Sequence, residues 1–526
     1  MQIIEASEIQ PVEGAVEWTR WAKGDATSVL QSLTANSAYL VKLESTAGYT
    51  WRIQGQVVAP RLDWSSVGLN LIGFSTPALN PPNWESFLRN FVDLPVQTTD
   101  IYHYVGGKLG SENPQQITPL RNSFVARGEA VWIRNGQVYN HSPGAFRVAN
   151  ALDGLEFETP GGIRNLRLEN LSPDPLTVSL RGVDSEVAPS DAVPVVGFPP
   201  LLIRGAQDET NLTYAFKALT PGETYSWQLA GRGQVGSEVE LVIGLDQTEL
   251  SGVPGDLLAG VLRFTDSLGQ LEVDIPTSAY VPSRAGLWVG SAAATQVAQH
   301  LASYALDADG RNLLEPDGSY EMAGVVTNMA PVPEPFPLRL ILHSPEQGNS
   351  VLLQRVFVGL DYETNYVVTT SESILNPRYL ESARRLSSAH LPWSVANGGW
   401  AFNGLLAEGA IASVQVNTAS GDQVSNPFLH TYHPDHDNKD ALFERELPQG
   451  VESYGISRDI TLSVESPADD FVSRTANSLS LRGTYRETIR ILGGSRQGGE
   501  VDERQVQVQG LFQLNQVVPI PSLTIP

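Results

Sequence analysis

The chain has 526 residues with 34 Lys or Arg against 58 Asp or Glu, a formal net charge of -24; at about 100–200 residues per domain, roughly three domains are predicted. That charge repels a polyanion such as DNA at long range, which excludes nucleic acid as a partner. The 47 Gly and 35 Pro exclude a helical bundle, and the absence of Cys removes disulfides, thiol catalysis and Cys-ligated zinc.

Residues 1–37 are predicted as an extended N-terminal segment. Its start, MQIIEASEIQPVEG, carries acids where a signal peptide needs a basic region and then an apolar core. The chain is therefore either not exported by that route or is a mature or excised segment. From residue 38, runs of β-branched and aromatic residues at period two (39–43, 49–53, 69–74) predict strands. One helix interrupts them: Asn83 is its predicted N-cap, and Trp84, Phe87, Leu88 and Phe91 fall on one face. Strands resume at 130–133 and 177–180, giving a first β-rich domain over 38–185. Residues 186–195, EVAPSDAVPV, read as a linker. A small β-sandwich is predicted over 196–283, with Trp227 in its core. A larger β-rich domain, 284–515, contains Pro331 to Pro337, where Pro at alternating positions predicts a loop or a further linker. Residues 516–526 form an extended C-terminal tail. The predicted class is mainly β, as tandem antiparallel β-sandwich or barrel-like domains with few short helices. No stretch approaches 18 apolar residues without Pro or charge, so no membrane span is predicted.

Candidate chemistry concentrates in Phe428 to Asp440, where three of the eight histidines and three aspartates fall together. His430, His433, Asp435, His436, Asp437 and Asp440 form the candidate metal set. Imidazole with carboxylate suits zinc, and the aspartates alone suit calcium. The three-residue spacing of the histidines around Pro434 matches neither a helix face nor a strand face, so a hydrogen-bonded loop without metal stands beside a structural calcium or zinc site. The acidic turn Asp307-Ala308-Asp309-Gly310 reads as a hairpin turn. Walker A, G-x-S-x-G and H-E-x-x-H patterns are absent, and no catalytic residue is assigned. Trp18, Trp51, Trp132, Trp227 and Trp288 lie in strand-like patterns, where core packing is the expectation. At the two ends, Ile3, Ile4, Val517, Val518, Ile520 and Ile525 are apolar anchors in extended segments, suited to lying along a sheet edge of a neighbouring copy.

Three stretches carry a resemblance: Leu69 to Phe74 followed by Asn80-Pro81-Pro82-Asn83-Trp84, then Gly286-Leu287-Trp288-Val289-Gly290, then Asn426-Pro427-Phe428 running into Tyr432 to Asn438 and Gly450 to Tyr454. In these the chain resembles the large, uncharacterised surface or secreted β-proteins of environmental bacteria of the planctomycete and verrucomicrobial kind. The resemblance implies a multidomain extracellular β-protein and brings no catalytic residues. The resulting expectation is a non-enzymatic extracellular or cell-surface structural protein, a matrix or filament subunit that pairs with itself. The runner-up is a carbohydrate-binding or glycoside-cleaving secreted protein with polysaccharide as partner. A phage-type fibre or baseplate component is the third reading.

Overall fold

The computed structural model describes residues 3–12, 15–44, 50–60, 69–90, 100–107, 112–134, 144–151, 154–157, 162–305, 307–309, 311, 313–316, 318, 321–326, 329–353, 356–361, 367–369, 383–388, 400–418, 455–476, 479–495 and 501–522. The protein is mainly β and antiparallel. It divides into two compact units, Met1–Pro282 with Asp469–Asn477, and Ser283–Ala468 with Ser478–Pro526.

In the first unit, β1 (Ile3–Val12) lies between β2 (Ala15–Ala22) and β3 (Tyr39–Leu43) in a three-stranded sheet. The predicted extended N-terminal segment is thus a hairpin with a third strand. A second sheet has the order β4-β7-β5-β6, built from β4 (Leu69–Gly73), β5 (Ile101–His103), β6 (Gln115–Gln116) and β7 (Ala130–Arg134). The helix α1 (Trp84–Leu88) closes its inner face, and Ile72, Phe74, Trp84, Phe87, Ile101 and Ile133 fill the space between. α1 begins where the N-cap predicts, with the Asn83 side-chain oxygen accepting from the Ser86 amide at 2.9 Å; Phe91 lies outside the described residues. Residues 50–60 have no regular structure although 49–53 alternate. Trp51 and Ile53 are exposed there, so that alternation has no core face to bury.

Two further sheets make a sandwich. Its strands are β8 (Phe146–Ala149), β9 (Leu155–Phe157), β10 (Ile163–Asn170), β11 (Leu176–Asp184), β12 (Val195–Gly197), β13 (Leu201–Asp208), β14 (Thr213–Leu219), β15 (Thr224–Leu229), β16 (Glu238–Leu245), β17 (Leu257–Asp266) and β18 (Glu272–Tyr280). One sheet runs β14-β13-β16-β10-β8 and the other β15-β11-β17-β18-β9, with β12 beside β17. Strict alternation drives this arrangement: every second residue of β17 is buried along all ten positions, the signature of one wet and one dry face. A linker over 186–195 and a separate sandwich over 196–283 are corrected here. β10 pairs with β16 and β11 with β17, so strands from both sides of 186–195 share one core, in which Phe146, Leu166 and Val178 meet Ile243, Phe264 and Ile275. Trp227 packs against that core half-buried, from an edge strand.

The second unit holds β19 (Gly286–Tyr304), β20 (Met322–Val326), β21 (Ala330–Ser344), β22 (Val351–Leu352), β23 (Val356–Asp361), β24 (Val367–Thr369), β25 (Ala383–Ser388), β26 (Trp400–Ala401), β27 (Ile411–Thr418), β28 (Gly455–Val464), β29 (Ser480–Ser495) and β30 (Val501–Val518). Its main sheet has the order β26-β22-β21-β19-β30-β29-β28-β27, with β20 beside β19. The sheet curls until its ends meet: Asn403 and Ser413 exchange both backbone hydrogen bonds, at 2.6 and 2.8 Å. The result is a barrel, which leaves no edge along that seam. Its interior is filled by side chains such as Trp288, Leu342, Phe402, Val414, Leu462 and Phe512. The strands β23, β24 and β25 form a separate three-stranded sheet.

Pro331 to Pro337 fall within strand β21, not a loop or linker; β21 pairs with β19 at Ala330 and Pro331 and again from Phe336 onward, with a register shift between. Prolines at 331, 333, 335 and 337 are two apart, the spacing that sets missing N–H groups on one edge of a regular strand. β22 pairs with β21 only at Leu342 and His343. No described strand is hydrogen-bonded to β21 on that side over 331–337, and an edge strand is where repeated Pro is tolerated.

The short helix α2 (Phe471–Arg474) falls between β28 and β29 in sequence but belongs to the first unit. Asp470 caps it, accepting from the Val472 and Ser473 amides at 3.0 and 3.1 Å. Phe471 is buried with Leu202 and Val242, and Tyr214 and Phe216 pack beside them. Arg474 donates to Asp246 Oδ2 at 2.7 Å from one terminal nitrogen and 3.1 Å from Nε. Its guanidinium lies 5.0 Å from the centre of the Phe216 ring.

Candidate functional site

His430, His433, Asp435, His436, Asp437 and Asp440 lie outside the described residues, as does Ile525; among the described residues no group of three or more His, Cys, Asp or Glu is placed to hold a metal ion. The acidic turn is a hairpin turn, with Asp307 Oδ1 accepting from the amides of Asp309 and Arg311 at 2.9 and 2.8 Å. Of the strand-like tryptophans, Trp288 is buried, Trp132 and Trp227 are half-buried, and Trp18 and Trp51 are exposed.

Four of the terminal anchors lie at strand ends. Ile3 and Ile4 begin β1, which pairs with β3 between Ile3 and Glu8 and with β2 between Glu5 and Val12. Val517 and Val518 end β30 and are exposed; Val518 stands opposite Leu287 of β19, and a register shift separates that pair from Trp288 and Gln516. The Ile520 carbonyl accepts from His343 Nε2 at 2.9 Å. Both described ends are therefore tied into sheets of their own unit.

The sandwich sheets end in four edge strands, β8, β9, β14 and β15. Natural edges are blunted by shortness, charge, Pro or a cover. β8 has four residues including Arg147, and β9 three including Glu156. β14 carries Lys217, and its outward side chains Tyr214 and Phe216 pack beside α2. β15 has none of these devices. Its six residues, TYSWQL, contain no charge and no Pro, and its β-branched and aromatic content favours a strand.

The position of β15 is fixed from within. One side pairs with β11 from Leu176↔Leu229 to Arg181↔Thr224, and no described strand pairs with the other. Tyr225 and Trp227 turn toward the core, and the Tyr225 hydroxyl donates to Glu223 Oε2 at 2.9 Å. Thr224, Ser226 and Gln228 face outward and are exposed, with Ser226 Oγ 2.9 Å from Ser179 Oγ. The composition of β15 is legible in the sequence. Its edge position is not, because that depends on β11 choosing β17 as its second partner, some 80 residues away.

The barrel holds one polar group of a different kind. Arg458, Tyr485 and Glu487 all point inward among apolar side chains and are almost fully buried. Arg458 Nε donates to Glu487 Oε1, and the Tyr485 hydroxyl donates to Glu487 Oε2 at 2.5 Å. Burial, and then the Glu487 charge, push the Tyr485 hydroxyl well above its ordinary range. The sign of the consequence follows: an acid whose folded pKa is raised contributes stability that is full below its unfolded pKa, about 10 for Tyr, and lost as pH rises toward the folded value. Wild type should therefore lose stability faster than Tyr485→Phe above pH 10, by about 1.4 kcal/mol per pH unit. Urea unfolding of both proteins across that range checks it; parallel curves would mean that Tyr485 is not shielded.

No protein-family model matches the chain, and no curated protein matches it. Among solved structures, the crystal structure of a multidomain protein including DUF1735 from Bacteroides ovatus is similar over 70% of this chain and 92% of that one, at 9% identity and a TM-score of 0.13. The chain itself is a multidomain, cysteine-free β-protein, and no described helix is long and apolar enough to cross a membrane.

Proposed function

We propose that the protein is a non-enzymatic structural subunit of a bacterial cell surface or extracellular matrix, one that associates with further copies of itself through the free edge of β15. The observation that carries this reading is the contrast among edges. Four prolines line β21 and the other described sandwich edges are short or charged, while β15 is the sandwich edge left unblunted. Two copies meeting there bring no like charges together, which matters for a chain of net charge -24. Pairing edge to edge supplies main-chain hydrogen bonds to groups that otherwise bond only to water.

Sedimentation of the full chain over a range of concentrations, with electron microscopy of the same samples, tests the proposal. Wild type should associate as concentration rises. Thr224→Lys with Gln228→Lys changes only outward side chains and should leave the protein folded and monomeric. A wild type that stays monomeric at the highest concentration, or a double variant that assembles as wild type does, would overturn it.

A further inference from the structure

A cleft of about 240 Å³ runs along β4 in the first unit. Leu71 to Ser75 form one wall and the turn Asn36 to Ala38 the other. None of its described lining residues is charged, in a chain where 17% of residues are. Its polar side chains are one carboxamide, Asn36, and two hydroxyls, Ser37 and Ser75. The carboxamide is held in place: Asn36 sits at φ 59, a conformation Asn tolerates, and its amide nitrogen donates to the Ala59 carbonyl at 3.2 Å.

An aromatic row leads away from the cleft. Leu71, which lines it, stands opposite Trp132 on β7, and Trp132 stands opposite Tyr102 on β5. All three are half-buried on the outer face of the sheet. Trp18 packs edge-on against Trp132, ring centres 6.5 Å apart, and remains 40% exposed. We infer that this cleft and the Trp132 face bind a neutral oligosaccharide. Sugar rings offer C–H faces that pack on indole and hydroxyls that bond to amide and hydroxyl groups. An acidic glycan finds no cation among the described lining residues to neutralise it and meets the repulsion of a strongly negative protein.

The test is affinity electrophoresis of the full chain through gels containing a soluble β-glucan, a xylan or a mannan, with alginate as the acidic counterpart. At least one neutral polymer should retard the protein and alginate should not. Trp132→Ala should weaken that retardation about tenfold or more, and so should Asn36→Gly, which keeps the backbone conformation and removes the carboxamide. Ala38→Trp fills the cleft without removing any contact and should abolish retardation; it carries the test if Trp132→Ala fails to fold. Free migration in all three neutral gels, retardation by alginate, or variants that bind as wild type would overturn the inference.

Discussion

Replacing Glu487 with alanine should destabilise the barrel by about 3–5 kcal/mol, because it strands the Arg458 charge in an apolar interior. Arg458 is 1% exposed and Glu487 2%, so neither charge can reach water without opening the barrel. The same physics makes the pair a poor source of net stability: taking two ions out of water costs several kcal/mol per ion, which their attraction and hydrogen bonds only roughly offset. Arg458→Met, Glu487→Leu and Tyr485→Phe together should therefore recover most of what Glu487→Ala loses, even though three polar groups are gone. Urea midpoints of the single and triple variants decide the matter. A single variant within about 0.5 kcal/mol of wild type, the range of an ordinary surface change, would mean that the pair is wet.

Gly510→Ala should be as damaging for a purely steric reason. A Cβ at 510 would lie 2.0 Å from the Ala293 carbonyl oxygen, and one at Gly290 only 1.8 Å from that of Gln513. The obstacles are backbone atoms of the neighbouring strand, so rotamer changes cannot relieve them. The register between β19 and β30 shifts between Ala294 and Gln296, next to Gly510, where the ladder has to bend. Overpacking of this kind costs about 1–3 kcal/mol when the surroundings give way, and more when they are main chain. Gly55→Ala is the control, since nothing lies within 4 Å of its added carbon. Thermal melts should show a large loss for the first and almost none for the second.

Much of this was readable in the sequence, for definable reasons. Period-two burial gave the strands of the sandwich and of the barrel, and Asn83 with its apolar face gave α1. Three things escaped. The linker reading of 186–195 failed because Pro and small polar residues mark a connection without saying whether it leaves a domain or crosses between two sheets of one. The proline run at 331–337 was misread because polyproline and a proline-blunted edge strand share the same extended backbone and the same alternation; only the partner strand β19 distinguishes them. The neutral cleft brings together Asn36, Leu71 and Gly128, which no local pattern links. The histidine cluster at 430–440, the densest chemical signal in the sequence, falls outside the described residues.

The buried ion pair also bears on how the barrel finds its own alignment. On β28, Arg458, Ile460, Leu462 and Val464 are buried at alternate positions, so a slip of one residue against β29 would turn the whole row to solvent. A slip of two residues keeps every side chain on its proper face, and apolar contacts alone discriminate weakly against it. Arg458 sits diagonally from Glu487, which stands opposite Ile460. Shifting β28 by two residues so that Arg458 stands opposite Ile491 displaces it by about 6–7 Å along the strand and parts the guanidinium from its carboxylate, leaving both charges desolvated, whereas the opposite shift sets Arg458 directly across from Glu487. Alternation thus rules out the odd misalignments, and the ion pair penalises the even ones in one direction along the strand.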